Sequence, residues 1–130
     1  MQDLKTIIEL GESDTLEFKP SFNQDVIETA TAFANTHGGK ILLGIANDGS
    51  FVGTSFGNEA LRDYVNRIAN ATEPSIQPDA HKISASSGDV IVLTIPEFPM
   101  KPVSMRGRSF RRSGTNTRRM NTSEISSMHM

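Results

Sequence analysis

Ala32-Phe33-Ala34-Asn35-Thr36-His37-Gly38-Gly39-Lys40-Ile41-Leu42-Leu43-Gly44-Ile45-Ala46-Asn47-Asp48-Gly49 carries the chain from one hydrophobic periodicity into another. Upstream of the double glycine, Val26, Ile27, Ala30, Phe33 and Ala34 recur at helical spacing behind Asn23, a residue type that caps helices. The spacing predicts a helix over residues 23–37 that Gly38-Gly39 closes. Residues 40–46 are short, branched, apolar and flanked by glycine, which reads as a buried strand. Asn47-Asp48-Gly49 then predicts a hairpin turn, because Asp-Gly readily takes the positive φ that tight hairpins need, with residues 50–53 as the returning strand.

The pattern extends in both directions. Leu4, Ile7 and Ile8 mark a short amphipathic helix over residues 2–10 that stops at Gly11, and residues 15–19 alternate as a strand that Pro20 ends. Asn58 is placed to cap a third helix carrying Leu61, Tyr64, Val65, Ile68 and Ala69. Residues 81–86 and 89–95 read as a hairpin joined by Ser87-Gly88. Pro96, Pro99 and Pro102 break the next stretch, after which residues 103–105, 109–112 and 115–120 suggest short strands. Asn121 and Glu124 have capping-box spacing for a last helix. The order αβαββαβββ predicts an α+β fold, a mixed or largely antiparallel sheet with helices packed mainly on one face. With 130 residues, no repeat and no second composition zone, the expectation is a single domain over 1–130.

Composition narrows the chemistry. The absence of cysteine removes disulfides, thiolate metal sites and cysteine nucleophiles, and fits a reducing compartment. The longest apolar runs are six residues, too short to span a bilayer, and the first residues lack secretory-signal order, so a cytoplasmic location with no membrane partner is expected. The net charge of −2 hides an asymmetry. Residues 1–100 hold 6 Lys/Arg against 14 Asp/Glu, or −8. Residues 101–120 hold Lys101, Arg106, Arg108, Arg111, Arg112, Arg118 and Arg119 with no acid, or +7, and Glu124 supplies the remaining −1. Clustered arginine is the footprint of a phosphate-backbone ligand, DNA or RNA. If residues 109–112 form a strand, Arg108 and Arg112 share one face and Arg111 takes the other, so at least one row meets solvent or ligand. The alternative is that these cations pair with the chain's own acidic part, within one molecule or across a homodimer, which would make the chain a dimerisation or protein-interaction module.

Other sites are missing. There is no phosphate loop (Gly38-Gly39-Lys40 enters a strand, not a helix), no dinucleotide fingerprint, no paired histidines among His37, His81 and His129, and no nucleophile elbow. What is present is a joint pattern: Glu12-Ser13-Asp14-Thr15-Leu16-Glu17-Phe18-Lys19, the Ala32–Ile45 block, Asn47-Asp48-Gly49, Val52-Gly53, and far downstream Arg111-Arg112-Ser113-Gly114-Thr115-Asn116. In this order the fragments closely resemble the Schlafen-type AlbA-like domain over residues 8–120, a module also described as a divergent AAA or DNA-binding domain.

The resemblance implies an AlbA-like fold and a nucleic-acid-binding module of the kind found at the N-terminus of bacterial and archaeal transcriptional regulators and helicase-related proteins, where further domains normally follow; the sequence leaves open whether an ATP-binding or winged-helix domain is among them. It also implies an alternative, because some members cleave RNA as metal-dependent endoribonucleases with three carboxylates and Mg or Mn. Two of those positions match Glu12 and Glu17, and ungapped matching puts the third on Asn47 beside Asp48, with Lys19 as a substrate-holding cation. Asparagine lacks the charge a divalent ion favours, so the preferred reading is a binder with no cofactor. Glu12 and Glu17 converge only if the chain bends at Ser13-Asp14.

Overall fold

The computed structural model describes residues 3–128. Four helices and eight strands follow in the order α1 (Leu4–Leu10), β1 (Leu16–Lys19), α2 (Gln24–Asn35), β2 (Gly39–Leu43), α3 (Ala60–Ala71), β3 (Thr72–Glu73), β4 (Asp79–Ala85), β5 (Gly88–Ile95), β6 (Ser104–Met105), β7 (Phe110–Ser113), β8 (Asn116–Arg119) and α4 (Thr122–Met128). The main sheet has the order β1-β2-β5-β4. β1 runs parallel to β2 with α2 as the connection, and β2–β5 and β5–β4 are antiparallel, which makes the sheet mixed. Two ribbons stand outside it, β3–β6 and β7–β8.

The period of two along β2 and β5 divides the core. Ile41, Leu43, Ile91, Leu93 and Ile95 face a layer in which Val26, Ala30, Phe33 and Ala34 of α2 meet Ile68 of α3. Leu16, Phe18, Leu42, Val90 and Val92 face the opposite side, where Leu4, Ile7 and Ile8 of α1 cover them. The α+β expectation is met, with the two long helices on one face and the short α1 on the other. Each fully buried Leu, Ile or Phe contributes about 1.5–3 kcal/mol through burial, and most of that area lies between α2, α3 and the sheet.

The double glycine has two separate reasons. Gly38 takes φ +72°, which ends α2, and a Cβ there would lie 2.8 Å from the Ile95 carbonyl oxygen. Gly39 brings the chain so close to β1 that a Cβ would sit 2.8 Å from the Thr15 carbonyl oxygen. Asn23 caps α2 by accepting from the Asp25 amide, as its position suggests. The Asp48-Gly49 turn forms with Gly49 at φ +89°.

Several boundaries differ from the sequence reading. The first helix begins at Leu4, and Gln2, where it was expected to start, lies outside the described residues, as does His129. Residues 50–53 are not a strand: only Ile45 bridges Phe51, after which the chain departs so that Thr54 and Phe56 can bond to Asp89. Asn58 does not cap α3; Glu59 occupies that position and makes no side-chain cap bond. The pairing of β3 with β6 joins segments about thirty residues apart and had no local signal.

Candidate functional site

The β7–β8 hairpin packs across α2 and presents the arginine-rich segment, which the structure divides. Arg112 is buried. Its Nη1 donates to Glu17 Oε1 at 2.6 Å and to Thr117 Oγ1 at 3.1 Å, its Nη2 donates to the carbonyls of Ser13 (2.9 Å) and Leu16 (3.3 Å), and the guanidinium lies 4.9 Å from the Phe33 ring centroid. This corrects the expectation that Arg112 reaches a ligand and shares a face with Arg108. The strand starts only at Phe110, so Phe110 and Arg112 point inward together while Arg108 belongs to the preceding turn. Asn35, the last residue of α2, and Thr36, its C-cap, hold this arrangement. Asn35 donates to the carbonyls of Val103 and Phe110 (both 2.9 Å) and accepts from the Val103 amide (2.7 Å), and Thr36 Oγ1 accepts from the Arg112 amide (2.9 Å).

Three further cations are also paired. Arg111 and Arg118 both bond to Glu124, Arg118 through both terminal nitrogens, and Lys101 bonds to Glu97 at 2.6 Å. The Arg118 guanidinium is the main reason the Glu124 carboxyl is pulled down to about 2. Glu124 also closes the expected capping box, accepting from the Asn121 amide while Asn121 accepts from its own. Pairing with the acidic first hundred residues is therefore realised for Lys101 and Arg112, within one molecule, whereas Arg111 and Arg118 share the single downstream acid Glu124. Arg106, Arg108 and Arg119 are exposed and have no carboxylate partner among the described residues. Arg108 and Arg119 flank a cleft of about 530 Å³ against Ser109, Asn121 and Thr122, and no carboxylate lines it.

The carboxylates lie on a different surface. The chain does bend at Asp14, where Ser13 and Leu16 bond to each other, and Glu12 swings back to accept from the Phe18 amide at 2.9 Å. Glu12 and Glu17 thus line one cleft of about 370 Å³ together with Lys19, Asp25, Glu28 and Asn47. Burial, and then the neighbouring Glu12, push the Glu17 carboxyl up to about 7 against the opposing pull of Arg112. Asp48 does not line this cleft; its Oδ1 accepts from the Ser50 amide (2.9 Å) and hydroxyl (2.6 Å), which holds its carboxyl below the ordinary range. Among the described residues, no group of three or more His, Cys, Asp or Glu side chains is placed to hold a metal ion. The residues at the three family-matched positions do not fit the three-carboxylate arrangement: Glu12 and Glu17 share the cleft, Glu17 is engaged by Arg112, and Asn47 offers an amide at the third; Asp25 and Glu28 also line the cleft but complete no such group.

Residues 12–121 match the family described as Schlafen, AlbA_2, a span that includes both the bent carboxylate segment and the arginine hairpin. The chain belongs to that family. Solved structures share the fold seen here, two among them at TM-scores above 0.6. One is the N-terminal domain of a protein from Nitrosomonas europaea named as related to the RecG ATP-dependent DNA helicase, with TM-score 0.65 at 20% identity, covering 94% of this chain and 91% of that one. The other is the DIP2311 protein from Corynebacterium diphtheriae, with TM-score 0.67 at 18% identity over 88% of this chain; the match spans only 23% of that protein. No curated protein matches. No helix among the described residues is long and apolar enough to cross a membrane.

Proposed function

We propose that this AlbA_2 domain binds DNA or RNA through the sugar–phosphate backbone, as the nucleic-acid-facing module of a cytoplasmic transcriptional regulator. Arg108 and Arg119 are the principal contacts and Arg106 is an additional one. Arg111 and Arg118, already oriented by Glu124, add positive field at the same end. The observation that carries this reading is the cleft between Arg108 and Arg119: two arginines with no carboxylate partner among the described residues, flanked by hydroxyl and amide side chains, on a chain whose first hundred residues carry −8. Arginines kept free of acids on an acidic protein are positioned for an outside anion.

The test is equilibrium binding to labelled duplex DNA, single-stranded DNA and structured RNA over a salt series. Arg108→Glu combined with Arg119→Glu is expected to weaken binding to every sequence about equally and to reduce the slope of log K against log salt by about 2. Unchanged affinity in the folded double variant would overturn the reading. Arg112→Glu is unsuited to this purpose, because it places a second carboxylate against Glu17 in the interior.

A further inference from the structure

A second cleft opens on the other side of the turn that carries Arg108. Its volume is about 660 Å³, within the roughly 300–1,000 Å³ common for small-ligand sites. Phe22, Ile27 and Ala71 give it an apolar floor, Asn23 and Asn70 bring amide groups to its rim, and Arg67 and Arg106 add two guanidinium groups. No carboxylate lines it. Arg67 is bonded to Asp63 at 3.2 Å, but both side chains are about half exposed, so water screens that pair and leaves the guanidinium available. The Phe22 ring is held in place by stacking on Tyr64 at 4.4 Å, with planes 1° apart, and the Arg67 guanidinium lies 5.8 Å from its centroid.

We infer that this cleft takes an unpaired nucleobase of a single strand, whose backbone continues across the Met105–Arg108 turn to the phosphate cleft. The inference rests on the proposed nucleic-acid reading and adds a preference for single strands over duplex. Three features point to a base. The floor is apolar and includes a fixed aromatic ring, the rim offers the Asn70 amide and the amide nitrogen of Asn23, groups of the kind that read base edges, and the entrance is cationic where a phosphate would pass. Placement supplies a fourth. Met105 and Arg108 bond to each other through both main-chain groups, so the two clefts are joined by a four-residue turn whose ends lie within about 7 Å. Arg106 lines one cleft and Arg108 the other. A base stacked within a duplex cannot enter such a cleft without being unpaired, which costs a few kcal/mol. An acidic peptide would satisfy the arginines but leave the aromatic floor and the amides unused.

The experiment compares binding of an oligothymidylate strand, the same strand with its central positions abasic, and a hairpin duplex of equal phosphate count. The proteins are the wild type and Arg67→Glu combined with Asn70→Leu, two exposed helix positions whose substitution fills and recharges the cleft without touching the core; Arg67→Ala alone serves if the pair does not fold. The wild type is expected to prefer the intact strand to the abasic one by about tenfold, and the variant to lose that preference while binding the duplex as before. Equal wild-type affinity for the intact and abasic strands, or an equal loss on strand and duplex in the variant, overturns the base cleft and leaves the phosphate reading standing. Failure of the wild type to bind any of the three removes both. Binding of a glutamate-rich peptide that the variant abolishes would reassign the cleft to an acidic protein partner and overturn the inference.

Discussion

Glu17 on β1 and Arg112 on β7, ninety-five residues apart in the chain, form a 2.6 Å ion pair that clips the β7–β8 hairpin onto the edge of the main sheet. The Arg112 side chain has no exposed surface, and two of its hydrogen bonds go to main-chain carbonyls of the Ser13–Leu16 bend. The same guanidinium therefore fixes the bend that turns Glu12 back toward Glu17. Arg112→Met keeps much of the volume and removes the charge. Losing one partner of a buried pair typically costs about 3–5 kcal/mol, yet Glu17 can escape by taking up a proton. The loss of stability is thus expected to be larger at pH 8 than at pH 5, measured by urea denaturation at the two values. An equal loss at both would mean that Glu17 does not titrate in that range.

The wild type should show the related effect by itself. Glu17 has its carboxyl raised from 4.5 to about 7, so between those values the folded state holds a proton that the unfolded chain has released. Stability is fully present below pH 4.5 and falls as pH rises through 7, by on the order of 3 kcal/mol. Glu124, lowered to about 2 chiefly by Arg118, acts with the opposite sign and only on the acid side of 4.5. The expected profile has its maximum near pH 5. Glu12→Gln removes the like charge while keeping an acceptor for the Phe18 amide, so the decline above pH 5 should flatten. Melting temperatures across pH 4–9 for the two proteins decide the matter.

Asn35→Asp tests the other fastener. The amide nitrogen bridges the carbonyls of Val103 and Phe110, and a carboxylate there would face two acceptors in a buried site. A loss of about 3 kcal/mol or more is expected, read from the denaturation midpoint. Because these bonds hold the arginine-bearing hairpin, a variant that still folds should also expose that hairpin to proteolysis first.

How much of this was legible in the sequence depended on range. The Asn23 cap, the Gly49 turn and the Asn121–Glu124 box were readable because each is decided within a few residues by backbone chemistry. The hairpin of β4 and β5 was readable for the same reason, through its alternation and Ser87-Gly88. The fate of the arginines was not. Nothing near Arg112 distinguishes it from Arg111; burial is set by Glu17, Phe33 and Thr36, contributed by β1 and α2. Asn35 was likewise passed over as a helix end, although a polar residue following Phe33 and Ala34 at the end of an apolar helix is a recognisable candidate for a buried bond to main chain.

Arg106 separates stability from binding. It sits at φ +52°, the only non-glycine residue at positive φ among the described residues, in a turn where a side chain is unfavourable. Arg106→Gly is expected to raise stability by about 0.5–1 kcal/mol while weakening single-stranded nucleic acid. A rise in melting temperature together with a fall in affinity would mark this arginine as retained for its ligand. A fall in both would show the turn to be relaxed as it stands.

The carboxylate cleft raises the question of cleavage. A phosphodiesterase that uses divalent metal needs several anionic oxygens converging on the ions before substrate arrives. Glu12 and Glu17 do converge, but Glu17 already accepts from Arg112, and burial and then Glu12 raise its carboxyl so that it holds a proton more tightly than an ordinary glutamate. Asp48 is turned onto Ser50, and Asn47 lines the cleft with a neutral amide. Asp25 and Glu28 line the same cleft, but no three of its carboxylates are grouped to hold a metal ion, a poor set for Mg²⁺ or Mn²⁺. Incubation of structured RNA with the wild type and Mn²⁺ is therefore expected to give no cleavage that depends on Glu17. Glu17→Gln is the control, since its amide oxygen can still accept from Arg112 and keep the hairpin in place. Efficient cleavage by the wild type that the Gln variant loses would show that metal binding displaces Arg112 from Glu17, and would make the cleft, rather than the arginine surface, the centre of function.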